Sequence, residues 1–199
     1  MRCLAALESF LHDRTFPPLI HAGLVHAQFE AIHPFLDGNG RVGRLLITLL
    51  LAERDVLPSP LLYLSAYFEQ TRPEYYSRLL GITKRGEWEE WLVYFLDGVA
   101  AQSEDAVERI QRIEALLSGW RSELARDRSR IPEQALELFA ENPFWTVRAL
   151  TERLDVAFTT AQRAIDRLDA LGAISLAAGE RRNRVYCARA ILDVLEELR

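Results

Sequence analysis

Within the twelve residues His33-Pro34-Phe35-Leu36-Asp37-Gly38-Asn39-Gly40-Arg41-Val42-Gly43-Arg44 the chain concentrates an imidazole, a carboxylate, a glycine-rich turn and two arginines. Those residue types suit the handling of phosphate. Gly38-Asn39-Gly40 lets the backbone adopt positive φ and aim successive N–H groups at one point. The apolar run Leu45 to Leu51 reads as a helix, and a helix opening just after such a turn presents free N–H donors to an anion. Arg41 and Arg44 stand one turn apart at its start, so both guanidiniums can grip phosphate oxygens with forked, charge-assisted bonds. Cations there oppose the helix dipole, a cost that an arriving polyphosphate would neutralise. Asp37 is a hard oxygen ligand beside this cradle, suited to Mg²⁺ shared with water and substrate phosphates. Histidine is the side chain that titrates near neutrality, so His33 can take a proton from an incoming hydroxyl. Pro34 stiffens the exit from the preceding element, and Phe35 is expected to anchor the loop by burying its ring.

Helices must hold these groups in place. Residues 2–13 read as an amphipathic helix, and Pro17-Pro18 opens a second one running to about Ile32, with Leu19, Ile20, Val25, Phe29 and Ile32 mostly on one face. His26 and His33 lie two turns apart with Glu30 between them. One carboxylate with two histidines seven apart is not a zinc spacing, so His26 and Glu30 are expected to be structural groups that brace the loop. His12 and His21 are expected at the surface. Beyond Leu51, Pro58 and Pro60 mark a turn, Leu61 to Gln70 reads as a helix, and Pro73 starts a short one with Tyr75, Tyr76, Leu79 and Leu80. Aromatic residues at that spacing predict core. Lys84-Arg85-Gly86 reads as a basic turn. From Glu87 to about residue 126 a long helix is expected, packing Trp88, Trp91, Leu92, Tyr94 and Phe95 inward and then becoming charged; its length predicts a bend or a connecting role.

The composition changes at Arg126-Asp127-Arg128-Ser129-Arg130, which divides the chain into residues 1–126, a linker at 127–131 and a second domain at 132–199. The second domain reads as helices over Pro132–Glu141, Val147–Leu154 and Thr159–Leu171. Gly172 ends the third as a left-handed cap, and Thr159 or Thr160 caps its start. Two short β runs follow, Ala173–Ala177 and Asn183–Ala188, joined by Gly179-Glu180-Arg181-Arg182, and a last helix begins near Ala190.

A chain of 199 residues with 49% hydrophobic content and a net charge of −5 is ordinary for a folded protein of one or two domains. No apolar run approaches the ~20 residues that cross a bilayer, and the first residues do not read as a signal peptide, so the expected compartment is the cytoplasm. Cys3 and Cys187 have no metal-type spacing and are expected to be free thiols.

The motif residues resemble those of the Fic family, whose pattern His-Pro-Phe-x-(Asp/Glu)-Gly-Asn-Gly-Arg-x-x-Arg is matched at every fixed position. It is distinct from a Walker loop, for no Gly-x-x-x-x-Gly-Lys-Ser/Thr occurs. The resemblance implies a mainly α fold, a Fic-type helical bundle, and transfer of AMP from Mg-ATP to a Ser, Thr or Tyr hydroxyl of a protein target. It implies His33 as general base, Asp37 on Mg²⁺, Asn39 with Gly38 and Gly40 on the α-phosphate, and Arg41 and Arg44 on the outer phosphates of ATP, the co-substrate. Relatives that move a phosphoryl or phosphocholine group, or remove AMP, share the motif, and those outcomes stay open. Family members show a similar Tyr-Tyr segment, so Tyr75 or Tyr76 can face adenine. The flap hairpin that such proteins carry upstream is not legible before Leu4. Nor is an inhibitory Ser/Thr-x-x-x-Glu-Gly/Asn segment: Glu141-Asn142 has Glu137 where the hydroxyl residue belongs.

Three helices followed by a β-hairpin resemble a winged helix-turn-helix domain, which in many Fic proteins follows the catalytic part. The resemblance makes Gln162, Arg163 and Arg167 on the third helix, and Arg181, Arg182 and Arg184 on the wing, possible contacts to DNA or a partner. Residues 129–199 carry ten arginines against eleven acidic residues, without the basic footprint of a DNA reader, so protein contact or self-association is an equal expectation. A regulator that only senses nucleotide is the non-enzymatic alternative.

Overall fold

The computed structural model describes residues 2–57, 63–179 and 184–197. The chain divides into two compact units, Met1–Val107 and Glu108–Arg199. Among the described residues are α1 (Arg2–Leu11), α2 (Pro18–Ile32), α3 (Asn39–Glu53), α4 (Leu64–Gln70), α5 (Arg72–Arg85), α6 (Trp88–Leu124), α7 (Ile131–Glu141), β1 (Phe144–Thr146), α8 (Val147–Leu154), α9 (Phe158–Ala170), β2 (Ser175–Ala178), β3 (Val185–Cys187) and α10 (Arg189–Glu196). The fold is mainly α, and among the described residues no helix is long and apolar enough to cross a membrane.

The first unit is built around α2, which begins with proline in its first turn, where a missing N–H costs nothing. Its residues are buried around most of its circumference: Val25 and Phe29 pack with Leu7 of α1 and Leu50 of α3, while Ala22 and Ala27 join Ile47, Phe68, Trp91 and Phe95 in a second cluster. The one-sided face expected from its apolar spacing is therefore too narrow. Small residues make the wider burial possible. A Cβ on Gly23 would meet the Phe95 ring at 3.0 Å, and the Trp91 indole N–H donates to the Gly23 carbonyl at 2.9 Å, fastening α6 to α2.

Two histidines of α2 are core residues. His21 is buried, its Nε2 2.8 Å from the Phe10 carbonyl and its ring against Phe10, so the expected surface position is corrected: the imidazole satisfies the end of α1. Arg54 does the same from α3, donating to the Asp13 carbonyl at 2.5 Å. His26 stacks on Phe68 and Trp91 and shares a 2.9 Å hydrogen bond with the Tyr75 hydroxyl. Tyr75 is thus a core residue, whereas Tyr76 is exposed. The helix carrying them spans 14 residues and includes Lys84 and Arg85 in its last turn, with Gly86 at φ 72° as its cap, in place of a short helix and a separate basic turn. Of the expected helix from Leu61, residues 61 and 62 lie outside the described residues, as do Pro58 and Pro60.

The helix α6 runs uninterrupted for 37 residues. Trp91, Tyr94 and Phe95 are buried in the first unit, and Ile113, Leu117, Trp120 and Leu124 pack in the core of the second. That second use explains why the units divide at Val107, ahead of the change in composition at 127–131.

In the second unit Leu136, Phe139, Leu150, Ile165 and Leu168 form a fully buried centre under a three-stranded antiparallel sheet of order β1-β3-β2. Its short first strand pairs Phe144 with Cys187 and Thr146 with Val185, and the hairpin expected after α9 supplies the other two strands. Gly172, at φ 70°, follows α9 as expected. The side-chain cap lies elsewhere: α9 starts at Ala157 without one, and Thr146 instead caps α8, its hydroxyl accepting from the Ala149 N–H at 3.1 Å.

Burial holds the His26 imidazole down at about 4, against its ordinary 6.5, so it folds neutral. Its contribution is present in full above 6.5 and is lost as pH falls through about 4, on the order of 3 kcal/mol. His21, also lowered by burial, acts in the same direction. Urea midpoints measured between pH 7 and 4 should fall on acidification, and His26→Asn should flatten that dependence.

Candidate active site

The loop that joins α2 to α3 begins at a left-handed residue. His33 has φ 50°, and its N–H donates to the Phe29 carbonyl at 3.0 Å, so α2 ends with the His33 side chain exposed beside the helix terminus. The loop ends at a second left-handed residue, Gly38 at φ 81°, from which α3 starts. Between them one side chain closes the turn. Asn39, almost wholly buried, accepts from the Phe35 N–H at 2.8 Å and donates to the Phe35 carbonyl at 2.6 Å. Phe35 therefore anchors the loop through its backbone. Its ring is half exposed, near Phe29 at 6.2 Å, which corrects the expected burial, and Leu36 is fully exposed.

The start of α3 carries no side-chain cap and no acidic residue in its first turn. The first N–H groups of a helix have no acceptor within it, so the amides of Asn39, Gly40 and Arg41 are left to an outside partner. The Asn39 side chain spends its Oδ1 and one of its two N–H groups on Phe35, which leaves its second N–H and its backbone N–H as donors. The two guanidiniums fold over the glycines. A Cβ on Gly38 would lie 3.4 Å from Arg41 Nη2, and one on Gly40 would lie 3.1 Å from Arg44 Nη1. The glycines thus do two jobs: Gly38 supplies the left-handed turn, and Gly40 leaves room for Arg44. Arg41 is largely exposed, with Asp37 at 3.9 Å, and Arg44 is half-buried.

Asp37 is exposed, and one of its oxygens accepts from the Gly38 N–H at 2.7 Å. No three His, Cys, Asp or Glu side chains group to hold a metal by themselves among the described residues. A single carboxylate next to free amides and two arginines nevertheless suits Mg²⁺, which keeps several waters and is shared with substrate phosphates.

On the other side of His33 lies an open cleft of about 260 Å³, lined by Ala27, Glu30 and Ala31 of α2 and by Tyr76, Leu79, Leu80 and Thr83 of α5. Its polar groups are few, and Tyr76 offers an exposed ring with Arg72 at 5.9 Å from its centroid. Glu30 is half-buried; burial pushes its carboxyl up, against the opposing charges of His33 and Arg44. This carboxyl meets α3 at Gly43, where a Cβ would lie 2.5 Å from Glu30 Oε1 and 3.1 Å from Phe29. Spacing alone gave Glu30 no more than a bracing role; its neighbours become apparent only once α5 and α3 are in place.

The expected site residues of the motif, His33, Asp37, Gly38, Asn39, Gly40, Arg41 and Arg44, are all brought to this one loop and helix start. The second group is less uniform. On α9, Arg163 is exposed, Gln162 donates to Asp166 at 2.8 Å, and Arg167 is held by Asp127 at 2.8 Å. Arg184 is exposed, while Arg181 and Arg182 lie outside the described residues.

Similarity to known proteins agrees with the motif. The model of the Fic/DOC family matches residues 1–51. Protein adenylyltransferase fic-1 of Caenorhabditis elegans is 32% identical over 112 residues, 55% of this chain and 20% of that protein. The probable protein adenylyltransferase aq_aa38 of Aquifex aeolicus is 44% identical over 46 residues, 23% of this chain and 14% of that protein. Protein adenylyltransferase Fic of Drosophila melanogaster is 50% identical over 40 residues, 20% of this chain and 8% of that protein. The chain therefore spans a fifth or less of the length of these relatives. The crystal structure of a Fic family protein from Desulfovibrio desulfuricans G20 superimposes with a TM-score of 0.52 at 19% identity, over 94% of this chain and 54% of that one, which shows a shared fold.

The contact at Gly43 can be tested directly. Gly43→Ala should displace Glu30 or part α2 from α3 and cost about 1–3 kcal/mol, seen as a lower urea midpoint; Gly119→Ala, at a helical glycine with open space around it, is the control and should instead stabilise by about 0.5–1 kcal/mol.

Proposed function

We propose, from the match of residues 1–51 to the Fic/DOC family model, that the chain transfers AMP from ATP to a hydroxyl of a protein Ser, Thr or Tyr. The observation that carries the reading is the junction of an exposed imidazole at the end of α2 with uncapped amides and two guanidiniums at the start of α3. A pocket that only bound nucleotide would have less use for His33, since amides, arginines and metal suffice to grip phosphate. In the proposed reaction His33 takes the proton from the acceptor hydroxyl, whose oxygen bonds the α-phosphorus while the bond to the pyrophosphate oxygen breaks. The amides of Gly40 and its neighbours face the α-phosphate, and Arg41 and Arg44 bind the outer phosphates through charge-assisted bonds. Asp37 would hold Mg²⁺, which when bound neutralises phosphate charge. The cleft lined by Tyr76, Leu79 and Leu80 suits a flat, largely apolar base such as adenine. A cytoplasmic setting agrees with two free thiols, Cys3 and Cys187.

Incubation with ATP labelled at the α-phosphate should label a target protein or the chain itself. His33→Ala should lower that rate by about 10²–10⁴-fold without loss of fold, and Arg44→Ala should raise the ATP concentration needed. Persistent labelling after His33→Ala would remove the general base from the mechanism. The mass added to the target, one AMP or one phosphate or phosphocholine, separates AMP transfer from the related group transfers.

The second unit supports a winged helix-turn-helix reading, with α9 in the recognition position. The exposed face of α9 carries Asp166 and Asp169 beside Arg163, and Arg167 is paired, which favours protein contact over the nucleic-acid backbone. Filter binding to genomic DNA fragments between 50 and 200 mM salt, concentrations over which phosphate contacts give steep losses, should show no sequence-preferring complex.

A further inference from the structure

Glu30 is a titratable group that the proposed reaction leaves unused. It stands three residues before His33, which closes α2 as its left-handed cap. Both line the cleft between α2 and α5. Its Oε1 is buried without a hydrogen-bond partner among the described residues, pressed against Gly43, where no Cβ intervenes. A half-buried carboxyl with an unmet oxygen is costly and calls for a partner. The cations facing it are His33 on its own helix and Arg44 from α3; from α5 the cleft adds Tyr76 and Thr83 and no charged side chain.

We propose that Glu30 is a positioning residue for His33, its carboxylate accepting a hydrogen bond from one ring N–H so that the other ring nitrogen is presented as the base. The inference rests on the role of His33 proposed above. As the acceptor oxygen bonds phosphorus and pyrophosphate departs, the hydroxyl proton moves to the free ring nitrogen. Glu30 takes no proton. It holds the tautomer and offsets the imidazolium that forms, as a carboxylate behind a histidine does in other acid–base sites.

The decisive measurement is the ring ¹⁵N spectrum of His33, identified by its absence in His33→Ala and read without nucleotide. The wild-type chain should show one neutral tautomer, Glu30→Gln a mixture, and Glu30→Asp, which keeps the charge, a spectrum nearer the wild type. In α-phosphate transfer Glu30→Gln should lower kcat roughly tenfold, a part of what a general base contributes, with KM for ATP within about twofold. A ring spectrum and kcat unchanged in Glu30→Gln would overturn the proposal, as would a raised KM with kcat intact, which would make Glu30 a nucleotide contact. Glu30→Asp covers the case in which Glu30→Gln does not fold. A wild-type chain that transfers nothing would count against AMP transfer alone, because the ring spectrum still decides what Glu30 does.

Discussion

At Gly43 the backbone of α3 comes so near α2 that a single methyl group would lie 2.5 Å from the Glu30 carboxyl and 3.1 Å from the Phe29 ring. Every group of the motif takes its position from that approach. His33 closes α2 one turn after Glu30, and Arg44 follows Gly43 directly, so the distance between the imidazole and the second guanidinium is governed by how closely the two helices pack. Leu51 and Ile47 of α3 and Ala22 of α2 supply the apolar burial that keeps them together, and the Trp91 bond to Gly23 holds α2 from its other side.

The loop itself is fixed by polar bonds. Asn39 is among the few buried polar residues of the first unit, and both ends of its amide are satisfied by Phe35. With the turn closed from inside, the outward surface is free to carry Leu36, Asp37 and Arg41 at high exposure. Charge that is costly at a helix start is thereby kept in water, the water that a phosphate replaces in the proposed reaction. Preorganisation of this kind places the ordering cost in folding and spares it in binding.

Much of this was legible in the residues. The order His-x-x-x-Asp-Gly-Asn-Gly-Arg-x-x-Arg announces a turn and a helix start, and proline at Pro18 and glycine at Gly172 mark the ends they occupy. What escaped depends on neighbours distant in sequence. His21 looks like a surface histidine until Phe10 presents a carbonyl to it, and Phe35 looks like an anchor until Asn39 takes its backbone. The strand Phe144–Thr146 is too short for alternation to appear and exists because β3 lies beside it. The composition shift at Asp127 marks a turn, yet the packing of Leu117 and Trp120 decides where one unit ends. Glu30 was visible as a carboxylate and not as a neighbour of Gly43 or of the cleft that His33 also lines.

The Asn39-Gly40 pair has a chemical consequence of its own. Asparagine followed by glycine is the sequence most prone to spontaneous deamidation, since the glycine nitrogen can close a five-membered imide on the side chain. Here that route is blocked twice, by the helical backbone that begins at Asn39 and by the two bonds that hold its amide to Phe35. A partly unfolded molecule loses both protections, and the aspartate or isoaspartate it acquires lacks the NH₂ that bonds Phe35. The fold is in this sense the preservative of its own loop, and molecules that linger unfolded would carry a permanent record of it.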